Sequence, residues 1–349
     1  MPVLVATLSI LCGPVPPAGG SAEHPRPFGD TRVFAHVPDP GRPEGIEVSR
    51  GVVYVGTHVG AKGNAGQGPS KVFLYRLDDR EAVGAIVVEG QNLNATHGVL
   101  AMTFGPDGRL YVVDRNPPRL IAIDLRTEPP TQKTYATIPE LDSCSSTPCS
   151  PSGSNEPPLP DGVTFDPTGK AYVTDVQTGT IFRVAPGGGP GEIWFQDSRI
   201  DGVLGPNGIT VDPTKTHLFF AVSSSTSGTA PGSVVSLPLV ERPVAEDLKT
   251  FHEYPEPGAI PDGLVFGKTG RLYVTLGGAS QVSVLNPDGA EIARFPPPVD
   301  NVRRDVPYDN PANLAFNTHG SLLVVNQAFF SDNPEHWVVF DVWVGDVGV

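Results

Sequence analysis

Four oxygen-bearing side chains stand at equivalent points of a recurring segment and could share one divalent cation. Each is followed directly by glycine, and they are Glu44, Asp161, Asn207 and Asp262. Carboxylate and amide oxygens are the hard donors that suit Ca²⁺, with Mg²⁺ and Mn²⁺ as alternatives. Zn²⁺ is a less natural choice because none of the four residues is His or Cys. Three carboxylates in one place must be compensated by a bound cation or by protonation.

Asp-Gly and Asn-Gly are also common turn dipeptides, which offers a purely structural explanation. That explanation suits Asp107-Gly108 and Asp288-Gly289, which lie within chain reversals. It suits the four equivalent positions less well, because the polar residue there varies among Glu, Asp and Asn while the glycine stays. We therefore interpret these four side chains as metal ligands.

The segment that carries these residues occurs six times, and its second residue recurs every 46–61 positions. In the two remaining copies this residue is apolar, Leu100 or Ala312. Each copy has a short apolar strand, a tight turn and a second strand rich in β-branched and aromatic residues. The copies are PEGIEVSRGVVYVGT from Pro43, VLAMTFGPDGRLYVVD from Val99, PDGVTFDPTGKAYVTD from Pro160, PNGITVDPTKTHLFFA from Pro206, PDGLVFGKTGRLYVTL from Pro261 and PANLAFNTHGSLLVVN from Pro311.

This spacing leaves room for four strands and their loops, which is one blade of a β-propeller. The last copy leaves room for only three strands, and residues 31–37 (TRVFAHV) can supply the fourth. The sequence therefore predicts an all-β protein, a six-bladed β-propeller closed by an N-terminal strand, with one domain over residues 25–349. A β-sandwich or two all-β domains is the alternative.

Composition agrees with this fold and limits the partners. The 349 residues include 40 Gly and 39 Pro, which disfavour long helices, and 39% are hydrophobic, enough for a large core. The net charge of −14 argues against binding to nucleic acid or to anionic membranes. A small molecule is the expected partner, and the oligomeric state stays open.

The N-terminal region and the cysteines favour export. Residues 1–24 begin with an apolar run that is too short to span a bilayer, and we interpret them as a signal peptide or a disordered segment. Cys144 and Cys149 lie in a loop rich in Ser and Pro, where a local disulfide would suit an oxidising compartment. A secreted, periplasmic or extracellular location is expected, with the cytoplasm left open.

The motifs EG at 44–45, PNG at 206–208 and PDG at 261–263 resemble those of a known family. It is the senescence-marker-protein-30, gluconolactonase and luciferin-regenerating-enzyme family, and the likeness covers nearly the whole chain after residue 40. The resemblance implies that Glu44, Asn207 and Asp262 bind the metal and that Asp262 is also the catalytic base. It places Asp161 where the family has an Asn beside metal and substrate. Leu159 stands where sugar-lactone members often carry Arg, so a less polar lactone or ester is expected.

The leading hypothesis is a metal-dependent hydrolase of a lactone or related ester, probed by chelation and by Asp262→Asn. The metal would polarise the carbonyl, and Asp262 or Asp161 would act as general base. A non-enzymatic, ligand-binding propeller with a structural calcium ion is the alternative. A strictosidine-synthase-like enzyme with non-hydrolytic chemistry is a third hypothesis.

The four predicted ligands should lie at one mouth of the central channel of the propeller. Long connections should surround that mouth, because binding loops often cluster on one face of a rigid scaffold. The loops concerned are 59–70, 223–232 and 328–336, which we interpret as polar, and the cysteine-containing loop 142–158, which leads directly into Asp161. Four further polar residues lie near strand ends and receive no role from the sequence: His58, His97, His319 and Asn326.

Overall fold

The computed structural model describes residues 26–59, 68–142, 157–202, 204–224 and 231–349. These residues form an all-β structure of short strands joined by turns. The N-terminal strand is β1 (Thr31–His36). The first two groups of four strands are β2 (Pro43–Ser49), β3 (Val52–Val59), β4 (Lys71–Arg76), β5 (Ala82–Val87), and β6 (His97–Phe104), β7 (Leu110–Asp114), β8 (Arg119–Asp124), β9 (Thr131–Thr137).

The remaining strands continue the same arrangement. They are β10 (Pro160–Phe165), β11 (Ala171–Asp175), β12 (Thr180–Val184), the two-residue β13 (Gly189–Pro190) and β14 (Glu192–Gln196); β15 (Pro206–Val211), β16 (His217–Val222), β17 (Ser233–Pro238) and β18 (Lys249–Glu253); β19 (Pro261–Phe266), β20 (Leu272–Leu276), β21 (Gln281–Leu285) and β22 (Glu291–Phe295); and β23 (Pro311–Phe316), β24 (Ser321–Asn326) and β25 (Val338–Trp343).

Helical structure in the described residues is limited to single turns. Pro298–Asn301 is an α-helical turn, and Ala245–Asp247 and Pro334–His336 are 3₁₀ turns. None of the described helices is both long and apolar enough to cross a membrane.

Within each group the strands pair antiparallel with their sequence neighbours, as expected for a meander. Four of the sheets have four strands each. The first two groups are joined into one larger sheet, because the end of β3 pairs with the start of β6 through His58–Gly98 and Val59–His97. The short strand β13 adds to β9 in parallel.

The predicted pairing of the two chain ends is present. Strand β1 lies antiparallel to β25, from Thr31 opposite Val342 to His36 opposite Val338, and completes the sheet of β23, β24 and β25. Arg26 secures this junction, since its Nη1 donates to Asp341 Oδ1 at 2.9 Å. The N-terminal strand therefore covers an edge that would otherwise be open.

The first strands of the groups contact one another in a circle. Strand β2 contacts β6 and β23, and the series continues through β10, β15 and β19 back to β23. Apolar clusters lie between neighbouring groups all the way round; one of them joins Val53 and Phe73 to Val325 and Val339. This packing fixes the positions of the first strands relative to one another.

The six copies found in the sequence are also structurally equivalent. In every pair of first and second strands, the register shifts between the first and the fourth residue of the repeated copy, as from Pro160 to Val163. The second and third residues therefore lie in a β-bulge. Because bulges re-aim side chains, this irregularity gives the second residue of each copy the same local setting.

Candidate metal centre

Each of the four predicted ligands occupies the same structural position in a different first strand. Glu44 lies on β2, Asp161 on β10, Asn207 on β15 and Asp262 on β19, always in the bulge. Asn207 and Asp161 are buried, with 6% and 9% of their surface exposed. The corresponding Leu100 and Ala312 are buried apolar residues and cannot bind a cation.

The three carboxyl groups are close enough to influence one another. Burial, with the Asp161 and Asp262 carboxylates, raises the pKa of Glu44 well above its ordinary value. Burial and the Asp161 carboxylate do the same to the pKa of Asp262. The pKa of Asp161 is raised to about 7, chiefly by burial and against the opposing charge of Arg115. The structure thus brings together the three carboxyl groups that the repeat pattern predicted to lie close to one another.

Asn207 is held with its oxygen unpaired. Its Nδ2 donates to Ser223 Oγ at 3.1 Å, and that hydroxyl donates to the carbonyl oxygen of Pro261 at 2.6 Å. The amide orientation is therefore set, and Asn207 Oδ1 has no hydrogen-bond partner among the described residues. Oε2 of Glu44 is likewise buried without one. Buried acceptors are normally satisfied, so two orphaned oxygens beside carboxylates indicate a missing donor or cation.

The chemistry of these oxygen donors suits a hard divalent cation, but the described residues do not form a complete coordination shell. In the described part of the chain, no three His, Cys, Asp or Glu side chains are assembled to hold a metal ion. The group is mixed instead, with carboxylates and one amide contributing oxygen, as Ca²⁺ accepts.

Arg115 joins the site and was not singled out from the sequence. It directly follows β7, in the copy whose equivalent position is the apolar Leu100. Its guanidinium faces the carboxylates of Glu44 and Asp161, whose charges favour its protonated form against the cost of burial. One sequence signal could have revealed it: a basic residue at the end of a second strand, beside a ring position that lacks an oxygen donor.

His58 also belongs to the site, whereas the sequence left its role open. Nη1 of Arg115 lies 3.1 Å from His58 Nε2, and a guanidinium can only donate, so Nε2 accepts. Burial, with the charges of Arg115, Arg42 and His97, lowers the pKa of His58 well below its ordinary value. The imidazole is therefore neutral with its proton on Nδ1, which lies 3.8 Å from Oε2 of Glu44.

The other residues left open have structural surroundings. His97 contacts the carbonyl oxygens of Ala95 and Gly68 through its two ring nitrogens. Asn326 bonds three backbone groups, and His319 lies exposed beside Asp78. Residues 1–24, Cys144, Cys149 and most of loops 59–70, 142–158 and 223–232 lie outside the described residues, so export and the disulfide stay predictions.

The glycine that follows each of the four predicted ligands has a packing role. A Cβ on Gly208 would lie 2.5 Å from the carbonyl oxygen of Asp262, and one on Gly162 would lie 2.6 Å from that of Asn207. Thr174 Oγ1 bridges the same gap by donating to the Asn207 carbonyl at 2.5 Å. Only glycine lets neighbouring first strands approach this closely, so these glycines set the spacing between consecutive ligand residues.

We expect Gly208→Ala to lower stability, because the added methyl must push β15 away from β19. Overpacking of this kind costs about 1–3 kcal/mol, which should lower the melting temperature by several degrees. Gly84→Ala is the matched control, since a Cβ on this strand glycine would meet nothing within 4 Å. Equal melting temperatures for the two variants would show that the close approach has no energetic consequence.

A cavity of about 580 Å³ lies between the first strands, beyond the carboxylates along the channel. Its lining includes Gly162 and Gly208 at one end and Lys215, Lys268 and the C-terminal Val349 at the other. None of the four predicted ligands lines this cavity. The cavity is therefore distinct from the candidate metal centre, although it borders that site through the two glycines.

Comparisons with known proteins place this geometry in context. Residues 196–319 match a family model described as an SMP-30/gluconolactonase/LRE-like region. This stretch contains Asn207 and Asp262. A search of curated protein sequences finds no match.

Solved structures share the fold at low sequence identity. Regucalcin of Agrobacterium tumefaciens, described as a calcium-binding protein, is 18% identical, with a TM-score of 0.64 over 92% of this chain and 96% of its own. A gluconolactonase from Xanthomonas campestris is 15% identical, with a TM-score of 0.58 over 90% and 89%. A virginiamycin B lyase from Staphylococcus aureus, solved with quinupristin, is 16% identical, with a TM-score of 0.53 over 90% and 88%.

Likeness at this level of identity establishes the fold and not the reaction, since a lactonase and a lyase share it. The family model and the ligand motifs of the sequence converge on one group. The resemblance of this chain to the SMP-30, gluconolactonase and luciferin-regenerating-enzyme family is thus confirmed by the match of residues 196–319 to the family model, and the solved structures confirm the shared fold.

Proposed function

We propose that this chain is a metal-dependent hydrolase of a lactone or related ester, built on a six-bladed propeller. The observation that carries the proposal is the group of three mutually repelling carboxyls beside the orphaned Oδ1 of Asn207. Its likeness to a gluconolactonase and to a calcium-binding regucalcin supports the same reading. The six equivalent bulges and the circle of first strands support the blade number.

The charges of the site favour a divalent ion. When ionised, Glu44, Asp161 and Asp262 carry three negative charges, Arg115 carries one positive charge and His58 is neutral. The remaining charge of −2 is matched by one divalent cation. Ca²⁺ suits the oxygen donors best, with Mg²⁺, Mn²⁺ and Zn²⁺ as alternatives.

Glu44, Asn207 and Asp262 would hold the cation, with Asp161 beside them. When bound, the cation would polarise the carbonyl group of the substrate. Asp262 or Asp161 would accept the proton of the attacking water at a carboxylate oxygen. Burial raises the pKa of Asp161 in the metal-free site, and a cation bound beside it would favour the ionised carboxylate that can accept a proton.

Arg115 and His58 would act on charge and orientation. Arg115 offers N–H groups that could donate to the substrate oxygen as negative charge develops during water attack. Its bond to His58 fixes the imidazole tautomer and directs Nδ1–H toward Glu44. That arrangement would orient the Glu44 carboxylate for cation binding, as outer hydrogen bonds commonly orient metal ligands.

A panel of lactones and aryl esters tests the proposal. We expect hydrolysis with Ca²⁺, its loss in excess chelator and its recovery when Ca²⁺ but not Na⁺ is restored, measured by proton release. Calorimetric titration with Ca²⁺ should be run in parallel. Full activity in excess chelator would contradict metal dependence, whereas Ca²⁺ binding without hydrolysis of any member would favour the non-enzymatic alternative.

A further inference from the structure

Two neighbouring phenylalanines are presented to solvent by residues 327–333, the phenylalanine loop, which follows β24. Phe329 is 41% exposed and Phe330 is 57% exposed. Their rings stand edge to face, with centroids 5.5 Å apart and planes at 88°. Single exposed apolar residues are common on protein surfaces, but an aromatic pair on an expected binding face calls for an explanation. The loop predicted to be polar thus exposes two aromatic rings, which corrects that prediction.

The phenylalanine loop is anchored on both sides of the pair. Ala328 is fully buried, and its N–H donates to the carbonyl oxygen of Asp309 at 2.8 Å. The N–H of Asp332 donates back to the carbonyl of Ala328 at 2.8 Å, so the segment between them turns tightly. The buried Arg42 donates from Nε to Asp332 Oδ1 at 2.9 Å and lies 5.9 Å from the Phe329 ring centroid. The backbone therefore holds the rings in place at the surface.

The same loop is continuous with the candidate metal centre. Gln327 lies close enough to Glu44 to lower the pKa of that carboxyl, against the larger effect of burial. The ring of Phe329 lies 6.3 Å from the ring of His58, which in turn faces Glu44. A molecule bound with its carbonyl at the carboxylates would thus have an apolar aromatic surface beside it.

We propose that Phe329 and Phe330 bind an apolar substituent, alkyl or aromatic, of the lactone or ester. The proposal rests on the proposed function and names the substrate class of that site. Transfer of each substituent methylene from water to this surface should raise kcat/KM up to roughly fourfold.

Two lactones of one ring size, γ-butyrolactone and the hexyl-substituted γ-decalactone, test this assignment. We expect the wild type to prefer γ-decalactone. Phe329→Ala should reduce the ratio of the two kcat/KM values roughly tenfold or more, mainly through KM. Phe28→Ala is the matched control, since Phe28 is also exposed but packs against Phe295 away from the site.

Direct binding of γ-decalactone, followed by nuclear magnetic resonance in excess chelator, separates this proposal from the catalytic one. Hydrolysis of neither lactone, with binding that Phe329→Ala weakens and Phe28→Ala does not, would overturn the catalytic proposal and support the apolar surface. Hydrolysis with the same substrate ratio and the same binding in both variants would overturn the apolar surface alone.

Discussion

Asp262→Asn should reduce turnover of the lactone or ester by roughly a thousandfold while the metal-free protein keeps or gains stability. The loss is expected because Asn cannot accept the proton of water, and a general base contributes about 10²–10⁴-fold to a rate. The gain is expected because the variant removes one of the buried carboxyls that repel one another, as the raised pKa of Asp262 indicates. Opposite effects on activity and stability are characteristic of functional groups in a strained setting.

Steady-state kinetics with Ca²⁺ and thermal unfolding in chelator measure the two effects separately. Asp288→Asn is the matched control, because Asp288 also precedes a glycine but accepts a hydrogen bond from the Ala290 N–H within a turn. Asn can keep that bond, so the control should behave as wild type. Wild-type turnover in Asp262→Asn would remove this residue from the catalytic scheme, and global unfolding would give it a structural role instead.

Without metal, the protein should lose stability as the pH rises from about 4 to about 7. Asp161 has a pKa of about 7 in the folded chain against an ordinary value of 3.8. Over that interval the folded state holds more protons than the unfolded state, so a rise in pH favours unfolding. Asp161 alone would account for roughly 4 kcal/mol at most, since one pKa unit corresponds to about 1.4 kcal/mol. Glu44 and Asp262 act in the same direction.

A divalent cation should reverse this loss, because it compensates the carboxylates in their charged form. At a Ca²⁺ concentration a hundredfold above Kd, the gain is about 2.7 kcal/mol. Urea unfolding at several pH values, in chelator and in saturating Ca²⁺, would show two curves that separate as the pH rises. Asp161→Asn should flatten the chelator curve. Stability that increases with pH in chelator would contradict the electrostatic description of the site.

The repeat pattern predicted most of the architecture that the structure shows. Turn residues and alternating apolar strands are local signals, so the paired strands of each copy could be predicted directly, whereas the register shift around positions such as Asp161 emerged only from the structure. The pairing of β1 with β25 followed from counting the strands left over after Ala312. Grouping of the carboxyls followed from equivalence between copies, since equivalent residues of adjacent first strands face the same axis.

Arg115, His58 and the phenylalanine loop could not be assigned in that way. Arg115 and His58 reach the site from the ends of second strands, where side-chain length and direction decide which groups meet. The glycines were interpreted as companions of the ligands, but their role depends on the distance between backbones of different copies. These contacts between a glycine and the backbone of another copy join residues far apart in the chain and leave no local sequence pattern.

The junction between β1 and β25 has a consequence for how the molecule is made. The segment Thr31–His36 is synthesised long before its partner Val338–Trp343, and all the other described strands lie between them in the chain. The sheets between them can form in order during translation, but the sheet of β23, β24 and β25 is completed only when β25 has left the ribosome and can pair with β1. Until then, β1 has no partner strand, and the nascent chain exposes a strand that can pair with other molecules.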